Sequence, residues 1–190
     1  RFSFDWLIGT KKQELIDGLR TLDPRFPDLI LQEAERICRH EFRLLGSGLV
    51  DLGESIDWHR DFIHHHCWSP NRHYLWFQPA RFPGGHEILI PWELSRFQHL
   101  TRLGQAYVLT GDEKYAHEYV HQIEDWINKN PAKRGVNWSS SMDVAIRAVN
   151  WIFSLGFFAN SPSLSDEFII ALHNTLRVHG RHVFTNLDQS

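Results

Sequence analysis

Residues 140–158 read SSMDVAIRAVNWIFSLGFF. Set out at about 100° per residue, Ala145, Ile146, Val149, Ile152, Phe153, Leu155 and Phe157 spread over most of the circumference, which predicts a helix buried on nearly all sides. One stripe is polar. Asp143, Arg147, Asn150 and Ser154 follow one another at spacings of three or four, with Ser139 and Ser140 in line at the N-terminal end. An unpaired buried charge is costly, so the stripe needs either a partner or a water-filled cleft. The cleft is the economical reading, and an intrahelical Asp143 to Arg147 ion pair bracing the packing is the alternative. Both can hold, because such a pair would orient Arg147 toward a ligand.

Working outward from this segment, helical periodicity recurs over Trp92–Leu109, Glu113–Asn128 and Leu164 to about Leu187, with breaks at Thr110-Gly111-Asp112 and Asn130-Pro131. An earlier helix is predicted over Asp28–Leu45, closed by Gly46. No stretch shows sustained strand alternation, so the chain reads as all-α, a set of antiparallel helix hairpins forming a toroid of paired helices or a helical solenoid. Gly46 to Pro91 is a long irregular loop holding Asp57-Trp58-His59, the His64–Trp68 cluster and the turn Phe82-Pro83-Gly84-Gly85. A connection of that length in a compact domain is read as functional, packed over the helices through its Trp and Phe residues.

The length of 190 residues fits one domain, taken as residues 1–190. Eight Trp, 13 Phe and 13 His are many for such a chain; they imply a large aromatic core or platforms for sugar rings. The net charge of -3 comes from interspersed signs, which argues against a nucleic-acid partner while leaving room for an acidic glycan held by a local cluster of Arg, His and Asn. No apolar run reaches the length of a membrane span. Cys38 and Cys67 form no CxxC pair and define neither a zinc site nor a disulfide framework. The chain starts at Arg1 without Met or a signal pattern, which points to processing or a truncated boundary.

Two further groups extend the candidate cleft. Phe97, Leu100, Leu103, Gly104 and Tyr107 form the apolar stripe of the helix that starts at Trp92, and Glu93 and Arg96 fall on that sector one turn earlier. Trp92, Glu93 and Arg96, with His99 as a further candidate, are read as a rim, against the alternative of a capped helix end with a Glu93 to Arg96 pair. Asn137-Trp138-Ser139-Ser140 precedes the next helix, where first-turn amides favour anions and one Ser can serve as N-cap. The run His64-His65-His66-Cys67 invites a metal reading, but adjacent residues of an extended segment face opposite ways, so neither a metal nor a cofactor is assigned.

Pro91-Trp92-Glu93-Leu94-Ser95-Arg96-Phe97-Gln98, then Leu103-Gly104-Gln105-Ala106-Tyr107, Thr110 to Ala116, Trp126-Ile127, Asn130-Pro131, and Gly135 to Ser140 running into Asp143 to Trp151 occur in fixed order. This ordered set resembles the N-terminal domain of the heparinase II/III family. The resemblance implies an incomplete (α/α) toroid followed by a partner β-sandwich domain, not encoded here, in a protein that is periplasmic or secreted. It implies cleavage of an acidic polysaccharide of heparan sulfate or alginate type by β-elimination, in which an Asn or His neutralises the uronate carboxylate and a Tyr or His takes the C5 proton. Tyr74, Tyr107, Tyr115 and Tyr119 match none of the family's catalytic positions. The expected role of this chain is therefore to hold substrate, without turnover of its own, through Trp92, Glu93, Arg96, Asn137, Trp138, Ser139, Asp143, Arg147 and Asn150. A helical-repeat interaction module lacks a second copy of its repeat. An (α/α) glycoside hydrolase would need a general acid, and Asp143 and Glu93 each have an Arg at helical spacing to hold the carboxyl ionised.

Overall fold

A computed structural model describes residues 12–77 and 87–187. In order it contains α1 (Lys12–Leu22), α2 (Phe26–Cys38), β1 (Glu41–Phe42), β2 (Val50–Asp51), β3 (Arg60–Asp61), β4 (His66–Cys67), α3 (Leu89–Ser95), α4 (Leu100–Thr110), α5 (Lys114–Lys129), α6 (Ser141–Leu155) and α7 (Asp166–Thr185). Single 3-10 turns occur at Tyr74–Trp76, Val136–Trp138 and Gly156–Phe158. The fold is all-α and toroid-like, with α2 packed on α4, α4 on α5 and α6, and α6 and α5 on α7.

Local chemistry sets the helix ends. Ser140 and Ser165 adopt extended backbone, and their hydroxyls accept from Asp143 N and Phe168 N as N-caps. Gly111 closes α4 in the left-handed region at φ 72°, giving its N–H to Tyr107 O at 2.7 Å. The centre of the molecule is aromatic: Trp58, Phe97, Tyr119, Trp126, Trp138, Trp151, Phe158 and Phe168 are all buried. Phe97 meets Trp58 at 4.9 Å and Trp151 at 5.4 Å between ring centres.

The described part of the long loop carries short paired strands. β1 pairs antiparallel with β2, Glu41 opposite Asp51 and Phe42 opposite Val50, and β3 pairs with β4, Arg60 opposite Cys67 and Asp61 opposite His66. Trp58, Trp68 and Phe77 are buried, as expected of a loop that packs on the helices, and Trp58 Nε1 donates to Asp125 at 2.7 Å. The predicted turn at Phe82–Gly85 lies outside the described residues.

Three helix expectations change. The segment from Trp92 to Leu109 is two helices, because Phe97 takes φ 58° and swings its ring into the core between α3 and α4. The helix expected to run to Leu45 stops at Cys38, where His40 at φ 56° turns the chain into β1. The third change concerns α6, which buries one side and not nearly all. Asp143, Val144, Arg147, Trp151 and Ser154 face inward, whereas Val149 is 63% exposed and Ile152 46%.

Candidate functional site

The inward face of α6 carries the polar stripe, and its partners determine what each group can do. Arg147 is fully buried. Its guanidinium lies over the Trp126 ring at 4.1 Å, with Trp138 beyond at 5.8 Å. Nε donates to His179 Nε2 at 2.9 Å, Nη2 to Asn137 O at 3.0 Å and Nη1 to Ser95 O at 3.3 Å. His179 Nδ1 lies 2.9 Å from Thr175 O; the ring therefore donates there and accepts from Arg147 as the neutral tautomer. Burial, then the adjacent guanidinium, holds His179 well below the usual histidine range. Burial also draws Arg147 down to about 9, with Asp143 opposing. The charge thus persists inside at neutral pH, satisfied by carbonyls and aromatic faces.

Asp143 does not pair with Arg147. Its Oδ1 takes the Nε of Arg96 at 2.5 Å, and Arg96 Nη1 also binds Glu93. Asn150 Nδ2 donates to Arg96 O at 2.7 Å. The structure therefore gathers Glu93, Arg96, Asp143 and Asn150 where the end of α3 meets α6. Glu93, Arg96 and Asn150 are half-buried and Asp143 is closed off at 1% exposure. Ser139, also half-buried, donates to Val136 O at 2.6 Å, the carbonyl that receives Trp92 Nε1 at 2.9 Å.

The remaining expected cleft residues lie in the interior and not on a wall. Asn137 donates to Trp58 O at 2.8 Å and to Asn130 Oδ1 at 2.9 Å, and Trp138 donates to Asn130 O at 3.3 Å. With Arg147 they tie the loop, α5 and α6 together. The physical reason is the break after α3: carbonyls that a continuous helix would consume are free to accept from Arg147 and Asn150 of α6, while Asp143 Oδ2 and Asn137 Oδ1 are buried without a hydrogen-bond partner.

Two other regions complete the picture. A cavity of about 450 Å³ lies between α2, the β1–β2 hairpin and the start of α4, lined by Arg36, Arg43, Arg102, Glu33, Glu41 and His99 among others, and by none of the nine residues expected to bind substrate. In the long loop, Asp61 is a buried hub, accepting from Ile63 N, His64 N, Glu87 N and His64 Nδ1 at 2.8 to 3.0 Å. Burial raises its carboxyl, and these bonds outweigh that and hold it below the usual range. The His64–Cys67 run is thus organised by a carboxylate, with His66 edge-on to Trp68.

A cluster that the sequence reading passed over joins His40 to Glu118 and His121. Its signal was present: His117-Glu118-Tyr119-Val120-His121 spells the HExxH pattern, but the third member sits far away at the end of α2.

Comparison with known proteins places these features. The family described as Heparinase II/III N-terminus matches residues 30–190. The heparin-sulfate lyase of Pedobacter heparinus is 25% identical over 185 residues, 93% of this chain and 24% of that protein. The heparin-sulfate lyase of Bacteroides stercoris is 52% identical over 113 residues, 48% of this chain and 17% of that protein. The crystal structure of heparan sulfate lyase HepC from Pedobacter heparinus superposes with a TM-score of 0.64 at 24% identity, covering 83% of this chain and 22% of that one. A heparinase III structure gives 0.65 at 22% identity over 85% of this chain and 25% of that one. The chain thus spans about a quarter of the length of the Pedobacter relative. With the family match covering residues 30–190 of the 190, the chain belongs to the heparinase II/III family, as its N-terminal domain.

Proposed function

We propose that this chain is the N-terminal helical part of a polysaccharide lyase that cleaves a uronate-containing glycosaminoglycan of heparan sulfate type by β-elimination. The family match over residues 30–190 carries the reading. Elimination requires neutralising the uronate carboxylate so that the C5 proton becomes acidic, and a placed base to take it. Among the residues expected to touch substrate, Glu93, Arg96, Ser139 and Asn150 keep partial exposure, and they would frame the sugar chain. Arg96 is the anion contact, positioned by Glu93 and Asp143. Asn137, Trp138, Asp143 and Arg147 act from behind, fixing the backbone that carries these groups. The carboxylate-neutralising and proton-transferring groups, and a β-sandwich partner domain, belong to the parent protein beyond this chain. The outward apolar face of α6 and α7, with Met142, Val149, Ile170 and Phe184 each at least 59% exposed, supports a role packed within such a larger body.

The test is ultraviolet absorbance of the unsaturated uronate product, with the parent protein acting on heparan sulfate and on alginate. Absorbance should grow with heparan sulfate, and Arg96→Ala should lower kcat/KM about 5- to 100-fold, the equivalent of losing a charge-assisted hydrogen bond. This chain by itself should give no product. Turnover on neither polymer by the parent, or rapid turnover by the 190-residue chain, would overturn the reading.

A further inference from the structure

We propose that His40, Glu118 and His121 form a binding site for one divalent transition-metal ion of the zinc type, which staples the turn after α2 to α5. The three ligand atoms already lie within 4.8 Å of one another. His40 Nε2 stands 3.0 Å from Glu118 Oε1, and His121 Nδ1 stands 3.7 Å from Glu118 Oε2. Tetrahedral zinc with ligands near 2.1 Å sets its ligand atoms about 3.4 Å apart, so the group must contract by at most about 1.4 Å, within reach of a side-chain rotation of the exposed His121.

The surroundings have the form that metal sites require. His40 Nδ1 lies 2.7 Å from Gly53 O and so carries the proton there, which leaves the Nε2 lone pair aimed at Glu118. A backbone carbonyl that fixes the tautomer in this way is the usual outer partner of a metal-bound histidine. A lone pair and a carboxylate facing each other at this distance need a cation between them, either a proton or a metal. Glu118 Oε1 is further held by Gln122 Nε2 at 2.6 Å, and Gln122 Oε1 by His99 Nε2 at 2.7 Å. His40 is buried and reaches this position through a left-handed backbone, φ 56°, whereas His121 is exposed and leaves an open side for water. Two imidazoles and one carboxylate suit zinc and its neighbours better than calcium or magnesium, which prefer all-oxygen shells.

The HExxH spelling does not make this a hydrolytic centre. In that motif both histidines bind the metal and the Glu serves as base. Here Glu118 is a ligand, and His117, exposed one turn before His121, is outside the group. The two readings predict opposite results for His117.

The experiment is calorimetric titration of the intact, chelator-treated protein with Zn²⁺, with Co²⁺ absorbance as the readout of tetrahedral geometry. One equivalent should bind, with a raised melting temperature and Ca²⁺ without effect. His121→Ala removes an exposed side chain and leaves the fold intact by circular dichroism; it should weaken Zn²⁺ binding by about tenfold or more. Glu118→Gln and His40→Ala should do the same, and His117→Ala should leave affinity within about twofold. Absence of stoichiometric binding to the wild type, or affinity unchanged in His121→Ala, would overturn the proposal and leave the cluster as a protonated His40 paired with Glu118. Loss on His117→Ala with Glu118→Gln still binding would overturn it in favour of the protease-type arrangement.

Discussion

Replacing Arg147 with Ala separates a structural arginine from a ligand-binding one. The substitution strips donors from His179 Nε2, Asn137 O and Ser95 O, each inside the protein. A buried acceptor left bare costs about 1 to 3 kcal/mol. The stacked cation over Trp126 adds up to ~2 kcal/mol when desolvated. Against this, removing the charge relieves its own desolvation, a comparable quantity. The net expectation is a loss of about 2 to 4 kcal/mol, at the upper end of single substitutions, as for a broken buried hydrogen-bond network that leaves no stranded charge. Arg147→Lys keeps the charge without the planar fork and should fall between. Urea unfolding followed by tryptophan fluorescence measures both. Stability within about 1 kcal/mol of wild type, or unchanged stability with weaker binding of an acidic oligosaccharide, would refute the interior role and return Arg147 to a cleft wall.

Gly104→Ala would put its Cβ 2.5 to 2.8 Å from three atoms of Phe157, so melting should show a loss of about 1 to 3 kcal/mol, partly recovered by adding Phe157→Leu. Ser165→Ala removes the cap on Phe168 N at the exposed start of α7 and should cost ~1 kcal/mol by the same measurement; no change would mean that water replaces the hydroxyl fully. Burial pushes His59 and His99 down to about 4, whereas an unfolded chain protonates histidine near its ordinary value. Between about pH 6.5 and pH 4 the unfolded state therefore binds protons that the folded state refuses, and stability should fall as pH falls through that window. In the metal-free protein His40, raised chiefly by its bond to Glu118, works in the opposite sense, its contribution lost as pH rises. Melting temperatures at constant ionic strength that stay flat or rise on acidification would contradict this balance.

The helices were legible where periodicity and punctuation agreed. Ser140, Gly111 and the Asn130-Pro131 break mark ends that the structure reproduces within a residue or two. The polar stripe on α6 and its inward direction were also legible, but the exposure of the opposite side was not. Hydrophobicity alone sends Val149 and Ile152 inward, and the structure exposes both; Arg147 faces inward as expected of an inner helix, but into the packed interior where a cleft was expected. Arg147 goes inside because two tryptophans and three acceptors from four separate segments converge on it, and no local window contains that convergence. The break at Phe97 was hidden for a similar reason: the residues around it are good helix formers, and its positive φ is maintained by burial of the ring. The His40 cluster escaped because His40 lies 78 residues before Glu118 in the chain.

The break between α3 and α4 also constrains how the sequence can drift. Ser95 O and Arg96 O are read by side chains of α6, Arg147 and Asn150, only because no helical amide four residues later claims them. A lineage that let residues 95–99 continue as helix would withdraw both carbonyls at once and leave two α6 side chains without acceptors. Positions 97, 147 and 150 should therefore change together or not at all, a covariation detectable in any set of relatives and independent of what they bind.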